Sequence, residues 1–146
     1  MLFSIQKELF DILPDLTIGM VVARGVDNTH PSKEIDDLLT RAVEGMKKNF
    51  MGDKAQEHPR IKPWRTAFSK LAISGSKFPS SIESMARRVL KGDPFPKINP
   101  LVALYNSVSL RYLVPMGGHD LDTIEGNISL RFAEGWEPFS PMGGEE

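Results

Sequence analysis

The order of elements in this chain predicts a mixed helix-and-strand domain, of α+β or α/β class. Three observations carry that prediction. An apolar, β-branched run lies near the N-terminus, at 16–26. Several segments with helical spacing of apolar residues fill the middle. An alternating run lies near the C-terminus, at 126–134.

The first element is "LTIGMVVARGV", Leu16 to Val26, bounded by Pro14 and Asp27 and predicted to be a buried strand. A helix follows over 31–50. Ile35, Leu38, Leu39, Ala42, Val43, Met46 and Phe50 recur at helical spacing, with acidic residues early and lysines late. Pro63 opens the next helix, whose apolar stripe is Trp64, Phe68 and Leu71, and Ser74, Gly75 and Ser76 end it. Ser80-x-x-Glu83 is a capping box before Ile82, Met85, Ala86, Val89 and Leu90, with Gly92 as the stop. Asn99 and Pro100 start a helix predicted to reach Leu113, and Pro115-Met-Gly-Gly turns the chain. In "GNISLRFAE", Ile128, Leu130 and Phe132 alternate with Asn127, Ser129 and Arg131, as in a half-buried strand. Two or three strands leave exposed edges. The expectation is that further strands lie in the irregular parts, or that the chain is part of a longer fold.

The 146 residues suffice for a single domain with a real core, and the 40% hydrophobic and 25% charged content is that of an ordinary globular protein. Cysteine is absent, which excludes a disulfide framework and thiolate chemistry and fits a reducing, cytoplasmic setting. The N-terminal "MLFSIQKELF" has no basic n-region or long apolar run, so no signal peptide is expected, and no segment approaches a membrane span. The net charge of −1 hides an uneven distribution. Residues 54–97 carry ten lysines and arginines against three carboxylates, a local net of +7. From Asp120 onward Arg131 stands against seven acidic residues. The basic middle is either a face for a polyanion or a solvated helical surface, and charge alone favours the second.

Generic catalytic motifs are missing. There is no Walker-type phosphate loop, no His-Glu-x-x-His and no Gly-x-Ser-x-Gly elbow. His30, His58 and His119 are far apart in sequence, so neither a metal site nor a cofactor is expected.

The stretch "INPLVALYNSVSLRYLVPMGGHDLDTIEGNISLRFAEGWEPFSPMGGEE" resembles the B3/B4 domain of the bacterial phenylalanyl-tRNA synthetase β subunit, and more closely the free-standing B3/B4 proteins. Ungapped matches to the family pattern fall at Ile98, Asn99, Val102, Asn106, Val108, Leu110, Pro115, Asp120, Leu121, Asp122, Ile124, Gly126, Ile128, Arg131, Ala133, Glu137, Gly144 and Glu146. The similarity is clear over 64–146 and weaker over 1–60. It implies an α+β fold, a B3/B4-like sheet flanked by helices, here incomplete at its C-terminal side. It also implies tRNA or aminoacyl-tRNA as partner. In the synthetase this domain removes a wrongly attached amino acid, because a binding pocket alone discriminates poorly against near-isosteres.

The departures bear on the site. The family's editing histidine falls at Gly117, its threonine at Tyr105 and its aspartate at Ala103, and the region of its editing glutamate has no counterpart here. His119 is the candidate substitute for the catalytic histidine, although it reads more readily as a structural or ligand-facing side chain. Asn106, Gly117, Gly118 and His119 are the ligand-binding candidates; Arg87, Arg88 and Lys91 are the tRNA candidates. The implied function is tRNA binding, extending to a free-standing trans-editing factor that hydrolyses mischarged aminoacyl-tRNA. The alternative is a non-catalytic amino-acid or protein-interaction module. Aminoacylation itself is not expected, and a homodimer or partner chain over an open sheet edge is.

Overall fold

The computed structural model describes residues 1–50 and 54–138, arranged as an α+β protein in two compact units. One unit contains 1–18 with the chain from Asp120 onward; the other contains 19–119. The matched Gly144 and Glu146 lie outside the described residues.

The smaller unit holds strand β1 (Phe3–Ile5), helix α1 (Lys7–Ile12) and strand β2 (Ile128–Leu130). The strands pair in parallel, with Phe3 opposite Ile128, Ser4 opposite Ser129 and Ile5 opposite Leu130. Side chains extend the ladder at both ends. Asn127 Oδ1 accepts from the Leu2 N–H at 2.8 Å, and Gln6 Oε1 accepts from the Phe132 N–H at 2.9 Å. Among the described residues of this unit, Leu9 alone is buried. Each strand therefore keeps one edge that no described strand pairs.

The larger unit is helical: α2 (Lys33–Asn49), α3 (Lys62–Lys70), α4 (Ser81–Lys91) and α5 (Pro100–Tyr112). The Ser80 and Asn99 caps stand where the sequence marks them, and Ser32 caps α2 in addition. Ser32 Oγ accepts from the Ile35 N–H, Ser80 Oγ from the Glu83 N–H and Asn99 Oδ1 from the Val102 N–H. Gly92 closes α4 at φ +79°, a conformation that disfavours any side chain. Packing of α2 along α5 is the main helix pair. Around it cluster Leu39, Met46, Phe50, Ile61, Ile82, Ala86, Val89, Ala103 and Leu110.

One expected element is corrected. Residues 16–26 form no strand. Ile18, Met20, Val22 and Val26 are exposed and Val21 is 93% exposed. Strand preference in β-branched residues largely measures fit to a half-buried pleated surface, and this run has no sheet neighbour among the described residues. The N-terminal strand is instead β1, which begins thirteen residues before Leu16, in a segment without a strand-like pattern of its own.

Candidate functional site

The ligand-binding candidates sit at the C-terminal half of α5 and in the turn after it. Asn106 is half-buried on α5; Gly117, Gly118 and His119 are exposed. The turn is brought back to the helix by contact with an aromatic ring. A Cβ placed on Gly118 would lie 3.4 Å from Cε1 of Tyr105, an ordinary van der Waals distance, so the turn passes beside that ring. Tyr105, which stands where the family has threonine, thus fills space beside the turn. The turn ends in Asp120, whose Oδ1 accepts from the Asp122 N–H at 3.1 Å, the capping role that the sequence indicates.

The tRNA candidates lie on α4, and two of the three have protein partners. Glu83 is fully buried, and its carboxylate is held by two arginines. Arg65 on α3 reaches it with two N–H groups at 2.9 and 2.7 Å, and Arg87, one turn along α4, reaches Oε1 at 2.6 Å. The capping box is therefore half formed: Ser80 caps the helix, while the Glu83 side chain goes to the arginines. A fork-on-carboxylate geometry and a hydrogen bond to Glu83 raise the Arg65 pKa further above its ordinary value, so the group stays charged. Arg88 donates to the Pro94 carbonyl at 3.1 Å, and Lys91 is exposed in the last turn of α4.

Two clefts mark the larger unit. One, of about 390 Å³, is open and basic, lined by Gln56, Glu57, Lys62, Arg65, Thr66, Ser69 and Lys70. Its long wall is α3, where Lys62, Thr66, Ser69 and Lys70 recur at helical spacing on one face. Arg65 belongs both to this wall and to the Glu83 pair, so a buried acid fixes a cation at the surface. The other cleft, of about 500 Å³, lies at the C-terminal ends of α2 and α5 and is lined by His58, Arg60, Arg111 and Tyr112 among others. Neither includes Asn106, Gly117, Gly118 or His119. Among the described residues no group of three or more His, Asp or Glu is placed to hold a metal, and no helix is long and apolar enough to cross a membrane.

The model of the B3/4 domain matches residues 64–146, more than half of the chain. The chain belongs to the B3/4 domain family. Comparisons with curated proteins and with solved structures return no match. The family segment of this B3/4 protein begins at Trp64, within α3, and so takes in most of the basic wall, the Glu83 pair, α5, the glycine turn and β2.

Sequence reasoning missed the Arg65–Glu83 connection and both clefts. The local signal at Glu83 was absorbed by the capping pattern, and an acid flanked by apolar Ile82, Met85 and Ala86 was the available sign that it faces inward.

Proposed function

We propose that this B3/4 protein binds tRNA and engages its aminoacyl end. The observation that carries the reading is the position of the family segment: it holds the cationic surface of α3 and α4 and the glycine turn in one stretch of chain. Lys62, Arg65 and Lys70 offer point charges and a fork along α3, and Arg87, Arg88 and Lys91 are the proposed phosphate contacts on α4. Arg65 and Arg87 come to that surface with one partner already in place, which limits the rotamer freedom lost on binding.

The catalytic form of the reading is trans-editing. Asn106, Gly117, Gly118 and His119 would receive the aminoacyl group, with His119 as the base. Water loses a proton to the base and its oxygen attacks the ester carbonyl. The ester C–O bond breaks, and the tRNA hydroxyl leaves protonated with the free amino acid as the second product. A second reading, a non-catalytic module that keeps the fold, is favoured by one specific contact: the Tyr105 ring packs where Gly118 approaches α5. A cytoplasmic setting belongs to both, and a second copy or partner chain on the open edge of β1 or β2 is proposed with them.

A panel of mischarged tRNAs decides between the two. Hydrolysis above the buffer rate that falls in His119→Ala supports editing; a folded sample with no turnover removes it. Filter binding of uncharged tRNA at rising salt tests the tRNA-binding part of the first reading. Affinity should fall steeply with salt, and a Lys62→Ala/Lys70→Ala double variant should flatten the slope by about two phosphate contacts. Salt-independent binding, or none, defeats the tRNA reading and leaves the non-catalytic amino-acid or protein-interaction module.

A further inference from the structure

The cleft at the C-terminal ends of α2 and α5 has an apolar floor and a cationic rim. Met46, Phe50 and Leu110 are buried beneath it, and His58, Arg60, Arg111 and Tyr112 surround it. At about 500 Å³ it has the size of a small-ligand site. None of its described lining residues is acidic.

Each polar group is partly committed, and the commitments leave the same kind of valence open. Arg60 donates one N–H to the Tyr112 carbonyl at 2.9 Å, which satisfies an end of α5 and leaves the rest of its fork. His58 stacks on Phe50 with ring centroids 4.6 Å apart, and its Nδ1 accepts from the Arg60 N–H at 3.1 Å. The ring proton is then on Nε2, so His58 offers the cleft a donor and its second face. The Arg111 guanidinium lies 5.5 Å from the centre of the half-exposed Tyr112 ring. The wall is also strained: Leu113 stands at φ +57°, a left-handed conformation unusual for leucine. It is held there by its own N–H on the Ser109 carbonyl and by the Ser109 hydroxyl on the Val114 carbonyl. Strain of this kind persists only where the surroundings over-determine it, and it gathers at ligand sites.

Capping accounts for Arg60 alone. The helix ends present partly negative carbonyls, yet Arg111, His58 and the amide of Asn49 add donors beyond what those carbonyls use. We propose that this cleft binds one nucleotide, its phosphate on Arg60 and Arg111 and its base against Tyr112 and His58. Guanidinium forks match phosphate geometry, and aromatic or guanidinium planes are the usual seats for an unstacked base. This deepens the reading of the chain as an RNA-binding protein, and rests on it for the class of occupant.

The test uses isotope-labelled full-length protein with 5′-AMP, adenosine and inorganic phosphate as probes, read by amide shifts. 5′-AMP should move the amides of Asn49, His58, Arg111 and Leu113, with adenosine and phosphate each bound about tenfold more weakly or worse. Arg111→Glu should abolish the shifts, and Arg111→Gln, which keeps the side-chain length, should weaken them in a fold whose spectrum is otherwise unchanged. Shifts that fall elsewhere, or adenosine binding as tightly as 5′-AMP, overturn the proposal. Filter binding of tRNA by the same sample separates the two readings. Binding of tRNA without 5′-AMP defeats the cleft and leaves tRNA recognition standing; 5′-AMP without tRNA supports the cleft and defeats the wider reading.

Discussion

The two compact units hold together by different means. The 19–119 unit buries a continuous apolar cluster, with Ile61, Ile82 and Ala86 fully inaccessible. The unit made from the two ends of the chain buries Leu9 and otherwise relies on backbone pairing and side chains that hydrogen-bond at the surface. Polar pairing of that kind contributes little net free energy per bond in water, whereas each buried aliphatic or aromatic side chain contributes roughly 1.5–3 kcal/mol. The helical unit therefore holds most of the buried apolar surface, and the strand pair stands close to the limit at which small sheets persist.

The largest effect should come from the helical core. Phe50→Ala removes a nearly inaccessible ring that also supports His58, and should lower stability by about 3–5 kcal/mol in a denaturant titration. A loss below ~1 kcal/mol would show that the cluster is not the source of stability. Next is the buried acid. Glu83→Gln leaves Arg65 and Arg87 facing a neutral group, and about 3 kcal/mol should be lost, at the low end of the range for broken buried pairs because both arginines are partly exposed. Glu83→Leu is the harder test: it removes the shared acceptor and leaves Arg65 only the Ser76 hydroxyl, so it should be no milder than Glu83→Gln. Asn99→Ala removes the α5 cap and should cost about 1 kcal/mol.

The smallest effect should come from the strand unit. Leu130 is 38% exposed, so Leu130→Ala should change the main unfolding midpoint by less than ~1 kcal/mol and act instead on the local opening of the β1–β2 amides, read by hydrogen exchange. The same unit has a pH signature. Glu137 accepts from the backbone N–H groups of Glu134 and Gly135 and pairs with Arg131 at 2.7 Å. These contacts hold its pKa down to about 2 from an ordinary 4.5, with the Glu134 backbone hydrogen bond the largest cause. A depressed carboxylate stabilises above the ordinary value, and that contribution is lost as pH falls from 4.5 through about 2. A titration followed at the Glu134 and Gly135 amides should report a midpoint near 2; a midpoint near 4.5 would mean that this turn is not held in solution.

What the sequence made legible was local. α4 and α5 could be placed because Ser80 and Asn99 cap within their own turn, and α2 because its apolar spacing is continuous and its charges follow the helix direction. The class was drawn from those helices, from β2 and from the 16–26 run, and α+β stands with β1 in place of that run. The run at 16–26 was misread because its composition requires a sheet neighbour that lies in no local pattern. β1 escaped because three residues carry no periodicity and its partner is 125 residues away. The glycine turn and Asn106 are candidates drawn from the family pattern, whereas the cleft at His58, Arg60 and Arg111 is assembled from separate segments and has no linear trace.

The Glu83 arrangement has a consequence for how such a chain can change over generations. One acid serves two bases on different helices, so losing the acid strands both bases, while losing either base leaves the acid with one partner. Reversal of the polarity would require three coordinated substitutions, each harmful by itself. The cation that Arg65 presents on the outer wall of α3 is thereby tied to the interior, so removing it changes stability and surface charge together.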